Sequence, residues 1–131
     1  MIQLPAVTLN PAPGAQFTPY ENHYENVTIP ELPYNWSESH SRLPWFFQSD
    51  EQFGRHRFST RWQTEEQYQV GMQKYYSLMT EVDQACREIV EFLEEEKVLD
   101  DTLVIFTTDN GLFHGAHGLA GKWYPYQESI R

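Results

Sequence analysis

From Tyr68 onward, apolar or aromatic residues recur at Met72, Tyr75, Met79, Val82, Cys86, Ile89 and Leu93. The steps alternate between four and three, the period that lays one stripe along an α-helix. Leu78, Ala85 and Phe92 widen the stripe on its flank. Thr64 followed by Gln67 fits a capping box, and Glu65 and Glu66 fall in the first turn, where the helix dipole favours acids. The pattern predicts a helix over residues 64–97. Its wide apolar face, without basic partner charges, favours packing on a sheet over a coiled coil. Cys86 lies in the stripe and reads as a small buried hydrophobe rather than a nucleophile. The acidic run 94–96 reads as a solvated helix end.

The pattern changes after residue 101. Residues 102–108 read TLVIFTT, a short apolar run rich in β-branched and aromatic side chains. That composition predicts a strand covered on both faces, as in a parallel sheet. Helix, short turn and buried strand make half of a βαβ unit, so the fold class expected is α/β. Residues 1–63 show neither period. Prolines 5, 11, 13, 19, 30, 33 and 44 interrupt them, and Phe17, Tyr20, Tyr24, Tyr34, Trp36, Trp45, Phe46, Phe47 and Phe53 lie among the prolines. The expectation is an irregular segment over 1–63, covering a neighbouring core or contacting substrate, followed by a helix–strand–loop part over 64–131.

Composition narrows the function classes. The 131 residues suffice for one modest domain, and 19 acidic against 9 basic residues give a net charge of −10. Such a chain lacks the electrostatic footprint of a nucleic-acid binder. One cysteine excludes an internal disulfide. No apolar run reaches the length of a bilayer span, and the start MIQLPAVTLNPAPG has no basic signal-peptide region. Two glycosylation sequons occur, at Asn26 and Asn35.

In open α/β sheets ligands bind beyond the carboxyl ends of the strands. Asp109 and Asn110 fall at that end, and where a strand breaks into a loop both can turn toward one ion. Carboxylate and amide oxygens suit calcium or magnesium rather than zinc or copper. The alternative is a plain Asp-Asn-Gly turn. Gly115, Gly118 and Gly121 follow, permitting close approach of the backbone to a ligand. His114 and His117 alone make a weak zinc site and read as hydrogen-bonding loop residues. Lys122 is an ordinary surface lysine or a point charge for sulfate or phosphate.

These residues carry a resemblance. TLVIFTTDNG, then HGLAGKWYPYQESIR, together with the preceding KYYSLMTEVDQACREIVEFLEEEKVLDDT, resembles the type I sulfatases of the alkaline-phosphatase-like superfamily. The likeness is specific over residues 64–131 and looser before. It implies part of an alkaline-phosphatase-like fold, with Asp109 and Asn110 as two ligands of an active-site calcium, calcium being favoured over magnesium. It makes Lys122 a contact to the sulfate or its leaving oxygen. His117 matches the family's Glu-His-Gly-Leu, with Ala116 in place of the acid; the resemblance assigns no role to His114.

Departures from the family pattern are equally specific. The formylglycine nucleophile arises from a Cys/Ser-x-Pro/Ala-x-Arg motif, and the sole cysteine here reads Cys86-Arg87-Glu88-Ile89. The paired aspartates that complete the calcium site and a His-x-Pro-Phe-like segment are missing as well. The expectation is a fragment of a sulfatase acting on a sulfated small molecule or glycan, inert alone. A related metal-dependent phosphatase or phosphodiesterase is the nearest alternative, although Asn110 in place of histidine favours a sulfatase. A non-catalytic interaction domain is the other.

Overall fold

The computed structural model describes residues 19–20, 22–30 and 36–130. Among them, helices form at Trp36–Ser41 (α1), Phe53–Arg61 (α2), Glu65–Glu95 (α3) and Gln127–Ile130 (α4). Single 3-10 turns stand at Trp45–Phe47, Leu99–Asp101 and Ala116–Gly118. Two short strands, Phe113–His114 (β1) and Ala120–Gly121 (β2), pair antiparallel with Phe113 opposite Gly121. Two compact units result: one from the described residues up to Thr28 with Val70–Phe106, the other from Ile29–Gln69 with the residues from Thr107 on.

The long helix begins as its sequence dictates. Thr64 Oγ1 accepts from the Gln67 amide at 3.1 Å, and Gln67 Oε1 accepts from the Thr64 amide at 3.1 Å. This reciprocal pair satisfies two donors that a helix start leaves open. The stripe behaves differently along its length: Tyr68 and Met72 are buried, whereas Met79, Ile89 and Phe92 are exposed. Cys86 is a half-buried free thiol.

In the first unit, Gln73 Nε2 donates to the Val27 carbonyl at 2.9 Å. Tyr24 shares a 2.9 Å hydroxyl contact with Thr80 and packs its ring 5.7 Å from Tyr76. The unit carries one correction. Residues 102–108, expected as a buried strand, pair with no other segment of the described chain, and Leu103 and Ile105 are 84% and 75% exposed. A strand exists through its ladder. The only ladder among the described residues is the β1–β2 pair, which is antiparallel, so the parallel sheet is not formed here.

The second unit holds a core of Leu43, Phe113, Ala116, Leu119 and Tyr124, flanked by Phe47 and Tyr126. Phe58 and Trp62, four residues apart on and just beyond α2, are also buried. Irregular chain was expected through residue 63, and α1 and α2 correct that. Past Pro44 the chain has no proline until Pro125, so nothing removes the amide donors that α2 needs. The aromatic residues here act as core: Trp36 meets Phe58 edge-on at 5.4 Å, and Trp62 meets Tyr68 at 6.2 Å. Pro5, Pro11, Pro13, Phe17, Pro33, Tyr34, the Asn35 sequon and Arg131 lie outside the described residues.

Candidate functional site

The loop from Asp109 to Trp123 hangs on the core through alternate residues. Phe113 and Leu119 are fully buried, which fixes β1 and the start of β2. Between them the backbone turns through left-handed geometry at Gly115 (φ 97°), His117 (φ 57°) and Gly118 (φ 67°). Gly118 needs its missing side chain for a second reason. A Cβ there would lie 2.9 Å from the Trp36 carbonyl oxygen and 2.9 Å from His40 Cβ. Arg55 Nη1 donates to the Gly118 carbonyl at 3.1 Å, tying α2 to the turn across 63 residues of sequence.

That scaffold positions the expected site residues. Lys122 follows β2, and its Nζ donates to Asn110 Oδ1 at 2.9 Å. The same amide uses Nδ2 to donate to the Gly111 carbonyl at 2.7 Å, so its oxygen is the end turned to the lysine. The Gly111 amide in turn donates to the Ser129 carbonyl at 3.0 Å, holding this loop to α4. Asp109 is exposed beside Asn110 and makes no hydrogen bond or ion pair among the described residues. Asn110, expected as a calcium ligand, and Lys122, expected as an oxyanion contact, bond to each other, and Asp109 bonds to neither. His117 stands on a different set of partners. Its Nε2 is 3.2 Å from Glu128 Oε1, and its ring lies 4.6 Å from that of Tyr126 at 30°. The left-handed backbone at His117 costs on the order of 1 kcal/mol.

Arg55, Glu128 and Tyr124 were not singled out from the sequence; Arg55 and Tyr124 act across 63 and 70 residues, and Glu128 meets His117 within the same loop region. Only Glu128 had a nearby signal, lying one helical turn before the chain's last residue in the Gln-Glu-Ser-Ile run.

Two histidines around the loop are held neutral. Burial lowers the pKa of His114 from its ordinary 6.5. Burial also lowers that of His40, with the Arg55 charge adding to the effect while Asp50 and a hydrogen bond to the Phe47 backbone oppose it. The unfolded chain therefore takes up protons first as pH falls below about 6.5, so stability is full above that value and declines beneath it. The expected slope is up to about 1.4 kcal/mol per pH unit for each histidine. Thermal melts between pH 8 and 5 should show it, and His114→Gln should flatten it; an unchanged slope in that variant contradicts the assignment.

Asp109 and Asn110 offer carboxylate and amide oxygens, the donor type that suits a hard cation, and the nitrogen in contact with the pair is the Lys122 ammonium, which donates a hydrogen bond and has no lone pair for a metal. Among the described residues no three of His, Cys, Asp or Glu cluster together. Calcium takes roughly six to eight oxygens, more than the side chains of this pair contain.

An N-acetylglucosamine-6-O-sulfatase of Bacteroides thetaiotaomicron is 34% identical over 64 residues, 49% of this chain and 12% of that protein. The multifunctional alkaline phosphatase superfamily protein PehA of Trinickia caryophylli is 42% identical over 57 residues, 44% of this chain and 11% of its own length. A choline-sulfatase of Rhizobium meliloti is 31% identical over 68 residues, 52% of this chain and 13% of that protein. The chain thus spans about an eighth of the relatives it matches. No solved structure gives a significant match. The Sulfatase family model matches residues 16–131, most of the chain, and the protein therefore belongs to the sulfatase family.

Proposed function

We propose that this chain supplies part of the charged apparatus of a sulfuric ester hydrolase. Asp109 and Asn110 hold a calcium ion, and Lys122 faces the sulfate oxygens. His117, backed by Glu128, serves the leaving oxygen. The observation that carries this reading is the 2.9 Å bond from Lys122 Nζ to Asn110 Oδ1. It joins the cation-side donor to the anion-side donor across the two arms of one loop.

The chemistry of these groups is mutually consistent. An amide oxygen accepts at two positions, and an ammonium donates from three. Asn110 can therefore contact both a cation and Lys122, while the lysine keeps two donors for an oxyanion. A cation and an ammonium so close repel one another unless negative charge lies between them, and a sulfate group is that charge. When bound, calcium offsets negative charge on the ester oxygens as a Lewis acid. Lys122 and His117 oppose the charge that builds on the transferred group and leaving oxygen. No residue here matches the formylglycine motif, so attack on sulfur is not assigned to this chain, which by itself is expected to be inert.

The same reading accounts for the bare apolar row. In the full-length protein, residues 102–108 become a strand of a parallel sheet covered on both faces, with Asp109 and Asn110 at its carboxyl end. The exposure of Leu103, Val104, Ile105 and Phe106 supports it.

A second reading, phosphate ester hydrolysis, is favoured by the 42% identity to the multifunctional alkaline phosphatase superfamily protein. Paired assays of the full-length protein on 4-nitrophenyl sulfate and 4-nitrophenyl phosphate separate the two. Calcium-dependent turnover of the sulfate at least about tenfold above the phosphate is expected. Preference for the phosphate overturns the sulfatase reading.

A further inference from the structure

Three side chains converge next to Lys122. A Cβ at Gly121, where φ is 105°, would stand 3.7 Å from Arg57 Nη1 and 3.8 Å from the Trp123 ring. The Arg57 guanidinium carbon is 4.0 Å from the Phe53 ring centroid and 4.9 Å from the Trp123 ring, and the two rings are 5.1 Å apart. The cation is thereby held over aromatic faces. Yet the rings stay open, Trp123 being 60% and Phe53 51% exposed.

Charge makes the arrangement more telling. The chain has 19 acidic residues, but among the described residues none pairs with Arg57 or with Arg61 one helical turn on. The two arginines feel each other: burial first, and the Arg57 charge second, lower the pKa of Arg61. Like charges at this spacing work against a helix. In so acidic a chain an unpaired arginine, oriented by two exposed rings, is better suited to a ligand than to the fold.

We propose that Phe53, Arg57 and Trp123 form a subsite for the body of the ester, and that it takes a ring bearing a second anionic group. The inference rests on the sulfate-ester reading above. The open face of Trp123 stacks on the ring, as an indole does on a flat or C–H-rich surface. The Arg57 side chain makes no hydrogen bond or ion pair among the described residues, so its N–H donors are open to a carboxylate or a second sulfate, which a guanidinium grips with two parallel hydrogen bonds.

The test uses the full-length protein and two probes, glucose 6-sulfate and glucose 2,6-disulfate, with calorimetric binding and hydrolysis followed in parallel. The native protein should bind the disulfate about tenfold or more tightly than the monosulfate. Arg57→Met retains the stem on the rings and removes the donors. It should erase that preference while changing monosulfate binding less than about twofold. Trp123→Ala should weaken both sugars alike. Arg57→Gln stands in if the methionine variant melts early. Absence of preference in the native protein, or equal weakening of both sugars by Arg57→Met, overturns the subsite. Preferential binding without cleavage of either sugar keeps the subsite and removes the sulfatase reading instead.

Discussion

Gly54→Ala is expected to destabilise the second unit by about 2–4 kcal/mol. Gly54 is buried in α2, and a Cβ built there falls 2.5 Å from Tyr124 Cε2 and closer still to its hydroxyl. The ring has no room to retreat. Tyr124 is 8% exposed, packs edge-on against Phe47 at 5.2 Å and Phe113 at 5.8 Å, and belongs to the core. Its hydroxyl also accepts from the Gly54 amide at 3.0 Å, a bond that the displaced ring would lose. Overpacking of this kind costs about 1–3 kcal/mol, and an orphaned buried amide adds about 1 kcal/mol or more. Because the clash centres on one hydroxyl and its ring edge, Tyr124→Phe should relieve part of it. The double variant should then be less unstable than the sum of the singles. Urea melts of all four proteins check this. A Gly54→Ala protein as stable as the native one contradicts the close approach of α2 to Tyr124.

Lys122→Ala should lower kcat of the full-length protein on a sulfate ester by about 10²–10³, the loss typical of removing one donor aimed at developing charge. The fold should not notice. Lys122 is exposed, and its bond to Asn110 is worth about 1 kcal/mol at most in solvent. Arginine should not restore the rate, since a planar fork cannot replace a compact ammonium bonded to one amide oxygen. Steady-state kinetics with melting curves decide it. A fall of less than a few-fold in kcat, with the fold intact, would place Lys122 outside the reaction.

The sequence disclosed the parts whose physics is local. Thr64 and Gln67 announced the helix start because a capping box needs only four residues, and both of its hydrogen bonds are present. The long helix followed from its own spacing. Residues 102–108 failed for the opposite reason: β-branched composition says what a segment would bury, but the ladder that makes it a strand comes from elsewhere. The second helix was hidden because prolines crowd the chain up to Pro44, and the proline-free stretch after it has too few apolar residues in phase to stand out. Phe58 and Trp62 share its inner face, while Phe53 is exposed. At the site, neighbours in sequence were legible and distant partners were not. Asn110 and Lys122 lie 12 residues apart in one loop, whereas Arg55 reaches Gly118 across 63 and Tyr124 reaches Gly54 across 70. Nothing in a linear pattern specifies those pairs.

Calcium titration of the full-length protein tests most directly whether Asp109 and Asn110 are cation ligands. Calorimetry on the native protein and on Asp109→Ala and Asn110→Ala, each confirmed folded by its melting curve, should show one site. Each substitution should weaken it by about tenfold or more, and sulfate should tighten calcium binding only where Lys122 is intact. Calcium affinity that is the same in all three proteins would contradict the assignment.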